Sequence, residues 1–178
     1  MTHTDGGVRL SPWSAEDFEL LLAANTPAMT AHIGGPETPE ELRGRHRRYT
    51  ALSEEPAAAG RMYRITLLPD AVPVGSIGFW PRTWDGETVY ETGWSVLPGF
   101  QGRGAATAAA TALIAEVRAA RPADGPRFLH AYPSVGHAAS NAVCRKAGFS
   151  LRGERRFEYP PGNPLRSNDW RLDLTATR

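Results

Sequence analysis

The chain has 178 residues, the length of a single domain, and a domain of that size buries roughly 70% of its unfolded surface. Its 20 lysines and arginines balance 19 aspartates and glutamates, which argues against a nucleic-acid or membrane-surface binder. No signal-peptide pattern and no apolar run of the ~20 residues that span a bilayer are found, so we expect one cytoplasmic domain over residues 1–178. The single Cys144 and the scattered histidines predict neither a disulfide nor a metal site.

The first half of the chain is predicted to start with helices and to continue as a meander of antiparallel strands. Apolar spacing and an acidic first turn favour a helix over residues 14–24, and a capping box at Thr38 starts a second helix after a loop. The alternating segments that follow predict strands over residues 61–68, 74–80 and 88–96, the last two joined by a hairpin around Asp85-Gly86.

The second half predicts helices that alternate with strands. Apolar side chains recur at helical spacing after a glycine-rich turn, and nine alanines between residues 105 and 120 let this helix lie close to a sheet. Because the helix is a crossover, the next strand, over residues 127–132, is predicted to lie parallel to the strand over residues 88–96. The remaining predicted elements are a helix over residues 137–147 that ends before Gly148, and strands over residues 149–158 and 170–174.

The glycine-rich turn at residues 98–106 is the most informative segment of the chain. Its amides lie free at a helix N-terminus, which is a place to hold phosphate, and its glycines lack the Cβ atoms that would keep a ligand away. A P-loop needs Lys and then Ser or Thr after its last glycine, but Ala105 and Ala106 follow Gly104. A dinucleotide-binding turn needs a third glycine where Thr107 stands, and no acidic strand end follows about 20 residues later.

The turn instead fits the pattern Gln/Arg-x-x-Gly-x-Gly/Ala through Gln101, Gly104 and Ala106. Here the chain resembles the GNAT superfamily of N-acetyltransferases, and the order of the predicted elements resembles that fold along nearly the whole chain. The resemblance implies an α/β (α+β) fold: a mixed central sheet of about seven strands, with an antiparallel N-terminal meander, a parallel splayed central pair and about four helices. The strand that carries Glu91 and Trp94 looks most like the branch of ribosomal-protein N-terminal (alanine) acetyltransferases and related drug-modifying acetyltransferases.

The resemblance implies acetyl-CoA as co-substrate and no metal. The strand over residues 88–96 would carry a bulge near its end and splay from the strand over residues 127–132, so that pantetheine fills the gap. Free backbone groups around Val96 and Leu97 would hydrogen-bond the pantetheine and polarise the thioester. The pyrophosphate would lie on the turn residues Gln101, Gly102, Arg103, Gly104, Ala105 and Ala106.

The expected general base is Glu91, because an acid at this place in the strand looks like the base of this branch, often acting through water. Period-2 alternation puts Glu91 on the same face of the strand as Gly93 and Ser95. The alternative is an exposed strand glutamate that packs against nothing.

The helix before Gly148 departs from the family at two positions. Counting back from Gly148 puts His137 where the family usually has Asn, and Cys144 where many members have the tyrosine that protonates the leaving thiolate. Ser140 or a water is therefore the expected acid, the alternative being a helix-surface serine. Asn141 is expected either to bond the pantetheine arm or to cap local backbone, and Cys144 to be a small buried hydrophobe.

Three further groups of residues keep more than one interpretation. His130 and His137 are each expected to have a structural role, the alternative being a catalytic one. The basic run over residues 43–48 is expected to be a solvated helix face, the alternatives being contacts to RNA, to the 3′-phosphate of coenzyme A or to an acidic substrate. The aromatic residues that would line an acceptor pocket or pack in the core are Trp80, Trp84, Trp94 and Tyr159.

These observations predict an acetyl-CoA-dependent N-acetyltransferase that acts by direct transfer in a ternary complex. The acceptor would be a primary amine of a small molecule or of a protein N-terminus. The alternative is a non-catalytic acyl-CoA-binding or regulatory module, because the usual Asn and Tyr are replaced. The expected partners are acetyl-CoA and the amine, without nucleic acid or membrane, and a homodimer stays open because dimers are common among relatives.

Overall fold

A single sheet of eight strands forms the centre of the computed structural model, which describes residues 3–5, 7–158 and 161–176. The strands are His3–Asp5 (β1), Val8–Pro12 (β2), Arg61–Leu67 (β3), Val72–Trp84 (β4), Glu87–Val96 (β5), Phe128–Ala131 (β6), Ser150–Glu158 (β7) and Pro164–Asp173 (β8). The α-helices are Phe18–Ala24 (α1), Pro27–Thr30 (α2), Pro39–Glu54 (α3), Ala105–Ala120 (α4) and Ala138–Lys146 (α5). Short 3₁₀ turns lie at Ala15–Asp17, Ala57–Ala59 and Pro98–Phe100.

The strand order in the sheet is β1-β2-β3-β4-β5-β6-β8-β7. Neighbouring strands are antiparallel except for β5 and β6, which are parallel because α4 crosses between them. The predicted mixed sheet with an antiparallel meander and a central parallel pair is therefore confirmed. The sheet has one strand more than the seven expected, because the short β1 pairs with β2 at the edge of the sheet.

One face of the sheet packs against α4, whose small side chains bring the helix close to the strands. Ala109, Leu113 and Val117 are buried there, as the predicted helical stripe requires. Across from them, alternate residues of the strands fill the same core, among them Leu10, Ile77 and Leu129. This face is the main hydrophobic core of the domain.

The opposite face carries a smaller core under α1 and α3, which pack on β4 and β3. Trp13, Leu21, Leu42 and Met62 form it. The predicted start of α3 is confirmed: the amide of Glu41 donates to the Thr38 hydroxyl at 3.3 Å, and the amide of Thr38 donates to the Glu41 carboxylate at 2.8 Å. Over β5 to β8 this face carries a cluster of aromatic and charged side chains, described with the site.

The pairing of β4 with β5 keeps one register along its whole length, from Gly75 opposite Val96 to Trp84 opposite Glu87. The bulge expected near the end of β5 is therefore wrong. The reason is the long, continuous β4 together with the tight turn at Asp85 and Gly86, whose positive φ angles of 49° and 83° suit a two-residue hairpin. In the neighbouring β3–β4 pair the register does shift, between Ile65 and Thr66.

The helix boundaries differ from the predictions in two places. The helix expected over residues 14–24 begins as a 3₁₀ turn, and α1 proper starts at Phe18. Inside the loop predicted between the first two helices lies the single turn α2, where the Thr26 hydroxyl accepts the amide of Met29 at 3.3 Å. In the described part of the chain no helix is both long and apolar enough to cross a membrane.

Asn141 ties α5 to the sheet with all four hydrogen bonds that an amide side chain can make. Its Nδ2 donates to the carbonyls of Ser134 and His137, both at 2.9 Å. Its Oδ1 accepts from Asn168 Nδ2 at 2.7 Å and from Trp170 Nε1 at 2.8 Å. Of the two expectations for Asn141, this buried side chain fulfils the second: it caps local backbone and links α5 to the preceding loop and to β8, which leaves it no bonding capacity for the pantetheine arm.

Replacing this amide should destabilise the domain. Asn141→Ala leaves the Trp170 indole N–H and the Asn168 amide without their acceptor, and we expect a loss of about 2–4 kcal/mol in unfolding free energy. That loss corresponds to a melting temperature lower by roughly 4–16 °C for a domain of this size. Arg145→Ala, on the exposed side of the same helix, is the control and should change the free energy by less than about 0.5 kcal/mol. Equal melting temperatures for the two variants would contradict a stabilising role of the Asn141 hydrogen bonds.

Candidate active site

A gap opens between β5 and β6 because the two strands pair over only three residues. Tyr90, Glu91 and Thr92 lie opposite Leu129, His130 and Ala131, and there β6 ends. β5 continues for four more residues, to Val96, still paired on its other side with β4. The splayed central pair implied by the resemblance is therefore present.

The edge of β5 that faces the gap offers backbone groups of Trp94 and Val96. The amide of Leu97 donates to the Val74 carbonyl at 2.8 Å, and in an antiparallel ladder such bonded positions alternate with positions that point away from the partner strand. Val96 and Trp94 are the positions that point away from β4. The expectation of a free amide at Leu97 is wrong, because that amide is used by Val74 and the Leu97 carbonyl accepts from Phe100 at 2.9 Å.

Gln101 turns its side chain back toward the strand end. Its Nε2 donates to the Val96 carbonyl at 2.8 Å and lies 3.4 Å from the Met29 sulfur. The carboxamide thus holds the end of β5 in place and connects it to α2. To contact a phosphate, the Gln101 side chain would have to break its hydrogen bond to the Val96 carbonyl, or the contact would have to come from the Gln101 backbone.

The turn after Gln101 is built by two glycines with positive φ angles, 74° at Gly102 and 83° at Gly104. A Cβ added at either glycine would meet no atom within 4 Å, so the space above the turn is open. The first amide that the helix itself satisfies is that of Ala108, which donates to the Gly104 carbonyl at 3.0 Å. Within the described residues the amides of positions 102–107 have no backbone acceptor, so they are available as donors at the helix N-terminus.

The other residues predicted on the turn differ in exposure. Arg103 is exposed, and its guanidinium lies 5.8 Å from the centre of the Phe100 ring. Ala105 is buried against the core and Ala106 is half-buried, so both offer only their backbone amides to the open side. The predicted set from Gln101 to Ala106 therefore lies together at one helix end, next to the open edge of β5.

Glu91 lies on the face of the sheet away from α4, as the alternation with Gly93 and Ser95 predicted. It is not an isolated surface glutamate: its Oε2 accepts from Arg82 Nη1 at 2.5 Å, and the side chain is 18% exposed. The Arg82 guanidinium lies over three rings, at 4.8 Å from Trp84, 5.2 Å from Tyr132 and 5.3 Å from Phe157. Three aromatic walls and a carboxylate thus fix this arginine.

Beside Glu91 the structure brings together a buried histidine and an aspartate that the sequence analysis did not single out as a pair. His130 Nδ1 lies 2.7 Å from Asp169 Oδ1. Burial raises the pKa of Asp169, but the hydrogen bond and charge of His130 and the charge of Arg155 outweigh burial and hold the pKa below its ordinary value. Tyr132 stacks on His130 with ring centres 5.7 Å apart, and burial, followed by the charges of Asp169 and Glu91, raises the pKa of its phenol.

The predicted residues of α5 lie in two environments. Ser140 is half-buried, whereas Cys144 is fully buried in the main core, where burial raises the pKa of its thiol to about 12. The expectation that Cys144 packs as a small hydrophobe is confirmed. His137 stacks on His32 with ring centres 4.3 Å apart, and burial together with His32 lowers the pKa of His137.

The aromatic residues named from the sequence do not form one pocket. Trp84 contacts Tyr132 on the face of Glu91, and Trp80 packs on the smaller core of that face. Trp94 packs against the main core on the α4 face, and Tyr159 lies outside the described residues. The basic run over residues 43–48 lies on α3, and the solvated face expected there is only partly present: Arg43, Arg47 and Arg48 are exposed, whereas Arg45 pairs with Glu37 and His46 accepts a hydrogen bond from Trp13.

No set of three or more histidines, cysteines, aspartates or glutamates in the described ranges could hold a metal ion. Arg82, Tyr132 and Asp169 are the neighbours of Glu91 that sequence reasoning missed. Arg82 could have been noticed from hairpin pairing, since Val89, two residues before Glu91, lies opposite it. Asp169 is 39 residues from His130 and no spacing pattern connects them.

Comparison with solved structures gives similar folds at low sequence identity. A RimL ribosomal L7/L12 α-N-protein acetyltransferase, solved with coenzyme A, has 21% identity and a TM-score of 0.77, with 99% of this chain and 100% of that chain covered. A GNAT-family acetyltransferase from Bacillus anthracis has 19% identity and a TM-score of 0.75, with the same coverage of 99% and 100%. The microcin C7 self-immunity acetyltransferase MccE, solved with acetyl-CoA and AMP, has 17% identity and a TM-score of 0.73, with 94% and 92% covered.

No curated protein matches the chain in sequence. The family model of the acetyltransferase (GNAT) domain, however, matches residues 8–150, which is more than half of the chain. That range includes the gap between β5 and β6, the glycine turn and α5. The chain therefore belongs to the GNAT acetyltransferase family.

Proposed function

We propose that the protein is an acetyl-CoA-dependent N-acetyltransferase that acetylates a primary amine by direct transfer in a ternary complex. The observation that carries the proposal is the glycine turn at the start of α4, which lies next to the unpaired edge of β5. A phosphate-bearing arm bound at the turn can run along that edge, so that its far end reaches the face on which Glu91 lies.

The residues of the turn fit the pyrophosphate of coenzyme A. Amides at positions 102–107 supply donors at the positive end of the α4 dipole, and Gly102 and Gly104 leave the approach open. Arg103 adds a positive charge that can reach a phosphate, because its guanidinium is exposed and lies against the ring of Phe100. The backbone groups of Trp94 and the amide of Val96, which face the gap, suit the amides of the pantetheine arm, whereas the Val96 carbonyl already accepts from Gln101. The RimL and MccE structures, which hold coenzyme A and acetyl-CoA, support the same assignment.

Bound acetyl-CoA would supply the thioester whose carbonyl carbon the amine attacks. Glu91 would take the proton that the amine nitrogen loses, directly or through a water, while Arg82 holds the carboxylate in position. Ser140, half-buried on α5, would pass a proton to the departing thiolate. Asn141 has no part in this chemistry because its bonds are all used inside the fold.

The acceptor is proposed at the level of a primary amine of a small molecule or a protein N-terminus. The RimL relative is an α-N-protein acetyltransferase of ribosomal L7/L12, which supports a protein N-terminus as the acceptor. A cytoplasmic location and a homodimer stay predictions from the sequence. The competing function is a non-catalytic acyl-CoA-binding module, which the departures at His137 and Cys144 favour.

Release of free thiol from acetyl-CoA separates the two functions. The purified protein is mixed with acetyl-CoA and a panel of amines that includes amino acids, polyamines, aminoglycosides and short peptides with free N-termini. Acceptor-dependent thiol release, with a product heavier by one acetyl group, supports the transferase. Binding of acetyl-CoA without release for any member of the panel would favour the module.

Gly104→Ala should weaken coenzyme A binding. The substitution puts a methyl group at the open side of the turn and forces a residue with a side chain to a φ of 83°, which costs about 1 kcal/mol. We expect the Kd of coenzyme A, measured by calorimetry, to rise about tenfold, a change of about 1.4 kcal/mol. Gly99→Ala is the matched control, since it also meets open space but lies in the preceding 3₁₀ turn. Equal Kd values for the two variants would refute the pyrophosphate site.

Glu91→Gln should lower turnover without weakening coenzyme A binding. Loss of a general base typically costs about 10²-fold or more, so we expect kcat to fall by about that factor while the Kd of coenzyme A stays within twofold. Glu154→Gln is the control, because it too removes a carboxylate paired with an arginine, Arg166, but at the exposed surface of β7. An unchanged kcat in Glu91→Gln would remove this residue from the mechanism.

Ser140→Ala and Cys144→Ala should have opposite effects. If the serine hydroxyl relays the proton to the thiolate, Ser140→Ala lowers kcat about tenfold and leaves the melting temperature nearly unchanged. Cys144→Ala should keep kcat but lower the unfolding free energy by about 1 kcal/mol, because it empties part of the core. A fall of kcat in the cysteine variant alone would reverse the assignment.

A further inference from the structure

The buried pair His130 and Asp169 has no role in the chemistry described so far. Their side chains are 5% and 2% exposed, and Nδ1 of the histidine lies 2.7 Å from the carboxylate. A neutral amide would satisfy either partner with less desolvation, so a titratable pair buried this deeply calls for a reason beyond packing.

The carboxylate fixes which ring nitrogen of His130 carries the hydrogen. The pKa of Asp169 lies below its ordinary range, so this group is ionised and can only accept a hydrogen bond. Nδ1 must therefore be the protonated nitrogen of the neutral ring. Nε2 then holds a lone pair and is a base with a defined direction.

The sheet places this base beside Glu91. His130 is the register partner of Glu91 in the parallel pair of β5 and β6, and both side chains lie on the face away from α4. Neighbouring strands are about 4.8 Å apart, so side chains of register partners on one face are in contact range. Tyr132 and Phe128 flank the His130 ring and limit its rotation.

The charges around His130 are balanced. They come from four strands and one turn and comprise four arginines and four carboxylates: Arg82 of β4, Asp85 of the following turn, Glu87 and Glu91 of β5, Arg152 and Arg155 of β7, and Asp169 and Arg171 of β8. Arg155 is held by Asp85 at 3.1 Å and by Asp169 at 3.5 Å, and Arg82 by Glu91. An added proton on the imidazole therefore lies against the Asp169 carboxylate, with Glu91 on the neighbouring strand, and each of these carboxylates also pairs with an arginine.

A route for the proton to leave also lies on this side. His130 and Asp169 line a cavity of about 160 Å³, bordered by Trp84, Val89 and Phe128 and by several of the charged groups named above. The cavity lies toward the start of β6, whereas the gap for the pantetheine arm lies at its end. Substrate and proton would thus use opposite ends of the same strand.

We infer that His130, held by Asp169, is a positioning and relay residue that receives at Nε2 the proton that Glu91 takes from the acceptor amine. The amine nitrogen forms its bond to the acetyl carbon, the carbon–sulfur bond breaks, and the sulfur leaves with the electron pair. The proton lost by nitrogen passes from Glu91 to His130 and from there to water in the cavity, so Glu91 returns to its carboxylate form. The inference rests on the proposed acetyltransferase function, because it concerns the same amine.

The first test is the pH dependence of kcat at saturating amine and acetyl-CoA, which reports groups of the bound enzyme. With the relay in place, kcat falls at acid pH, because an imidazole that already carries a proton on Nε2 cannot accept one from Glu91. His130→Asn keeps an amide N–H donor toward Asp169 but cannot accept a proton. We expect kcat to fall about 10-fold to 100-fold in this variant, and the activity that remains should lack the decline that the native protein shows at acid pH.

Asp169→Asn is the second variant and covers the case in which His130→Asn does not fold. It offers an N–H to Nδ1 and so moves the ring hydrogen to Nε2, which removes the base while leaving the imidazole in place. We expect a loss of kcat of similar size, and nitrogen NMR shifts of the ring should report an Nδ1–H form in the native protein and an Nε2–H form in the variant. His46→Asn is the control, since His46 bonds Trp13 at 3.1 Å within the smaller core.

The outcomes separate the inference from the proposed function. Native protein that releases no thiol with any amine overturns both. Native activity combined with an unchanged pH profile in His130→Asn, or with an Nε2–H ring in the native protein, overturns the relay and leaves the acetyltransferase standing. A lower kcat with a flattened acid limb in both site variants, but not in His46→Asn, supports the relay.

Discussion

The brevity of the parallel pairing between β5 and β6 is the constraint on which the rest of the site depends. Because β6 ends at Ala131, the backbone of β5 from Gly93 to Val96 keeps β4 on one side and an open edge on the other. An unpaired edge inside a sheet is costly unless something satisfies its polar groups. Gln101 satisfies one of them, the Val96 carbonyl, and the same turn that carries Gln101 begins α4. The hydrogen bond of Gln101 therefore connects the open edge of β5 to the glycine turn and to the N-terminus of α4.

On the face of the sheet away from α4, the charged side chains form carboxylate–arginine pairs. The side chains of Glu91, Arg82, Asp169 and Arg155 are partly or fully removed from water, and an isolated charge there would be expensive. Each has a partner of opposite sign, and three aromatic rings cover Arg82. The result is a polar cluster with fixed geometry next to the open edge of β5. A proton can move through such a cluster with little rearrangement, because the hydrogen-bonding partners are already in position.

The parts of the fold that the sequence predicted well are those set by neighbouring residues. The alanine stripe of α4, the capping box of α3, the turn at Asp85-Gly86 and the end of α5 at Gly148 each follow from contiguous residues with strong local preferences. The expectations that were wrong concern strand register and hydrogen-bond partners, which are decided only when the chain has folded. Asn141 matched a pantetheine ligand by position, but Trp170 and Asn168 from β8 take both lone pairs of its oxygen.

The sequence by itself determined the family, the helix that starts after the glycine turn, and the face of β5 on which Glu91 lies, because turn chemistry and period-2 alternation act within a few residues. Only the tertiary structure decided which charged groups meet. The partnership of His130 with Asp169, 39 residues apart, exists because β8 lies between β6 and β7 in the sheet, and strand order is fixed by packing of the whole domain. Local rules therefore place the glycine turn at the start of α4, and long-range pairing builds the cluster of charged side chains on the other face of the sheet.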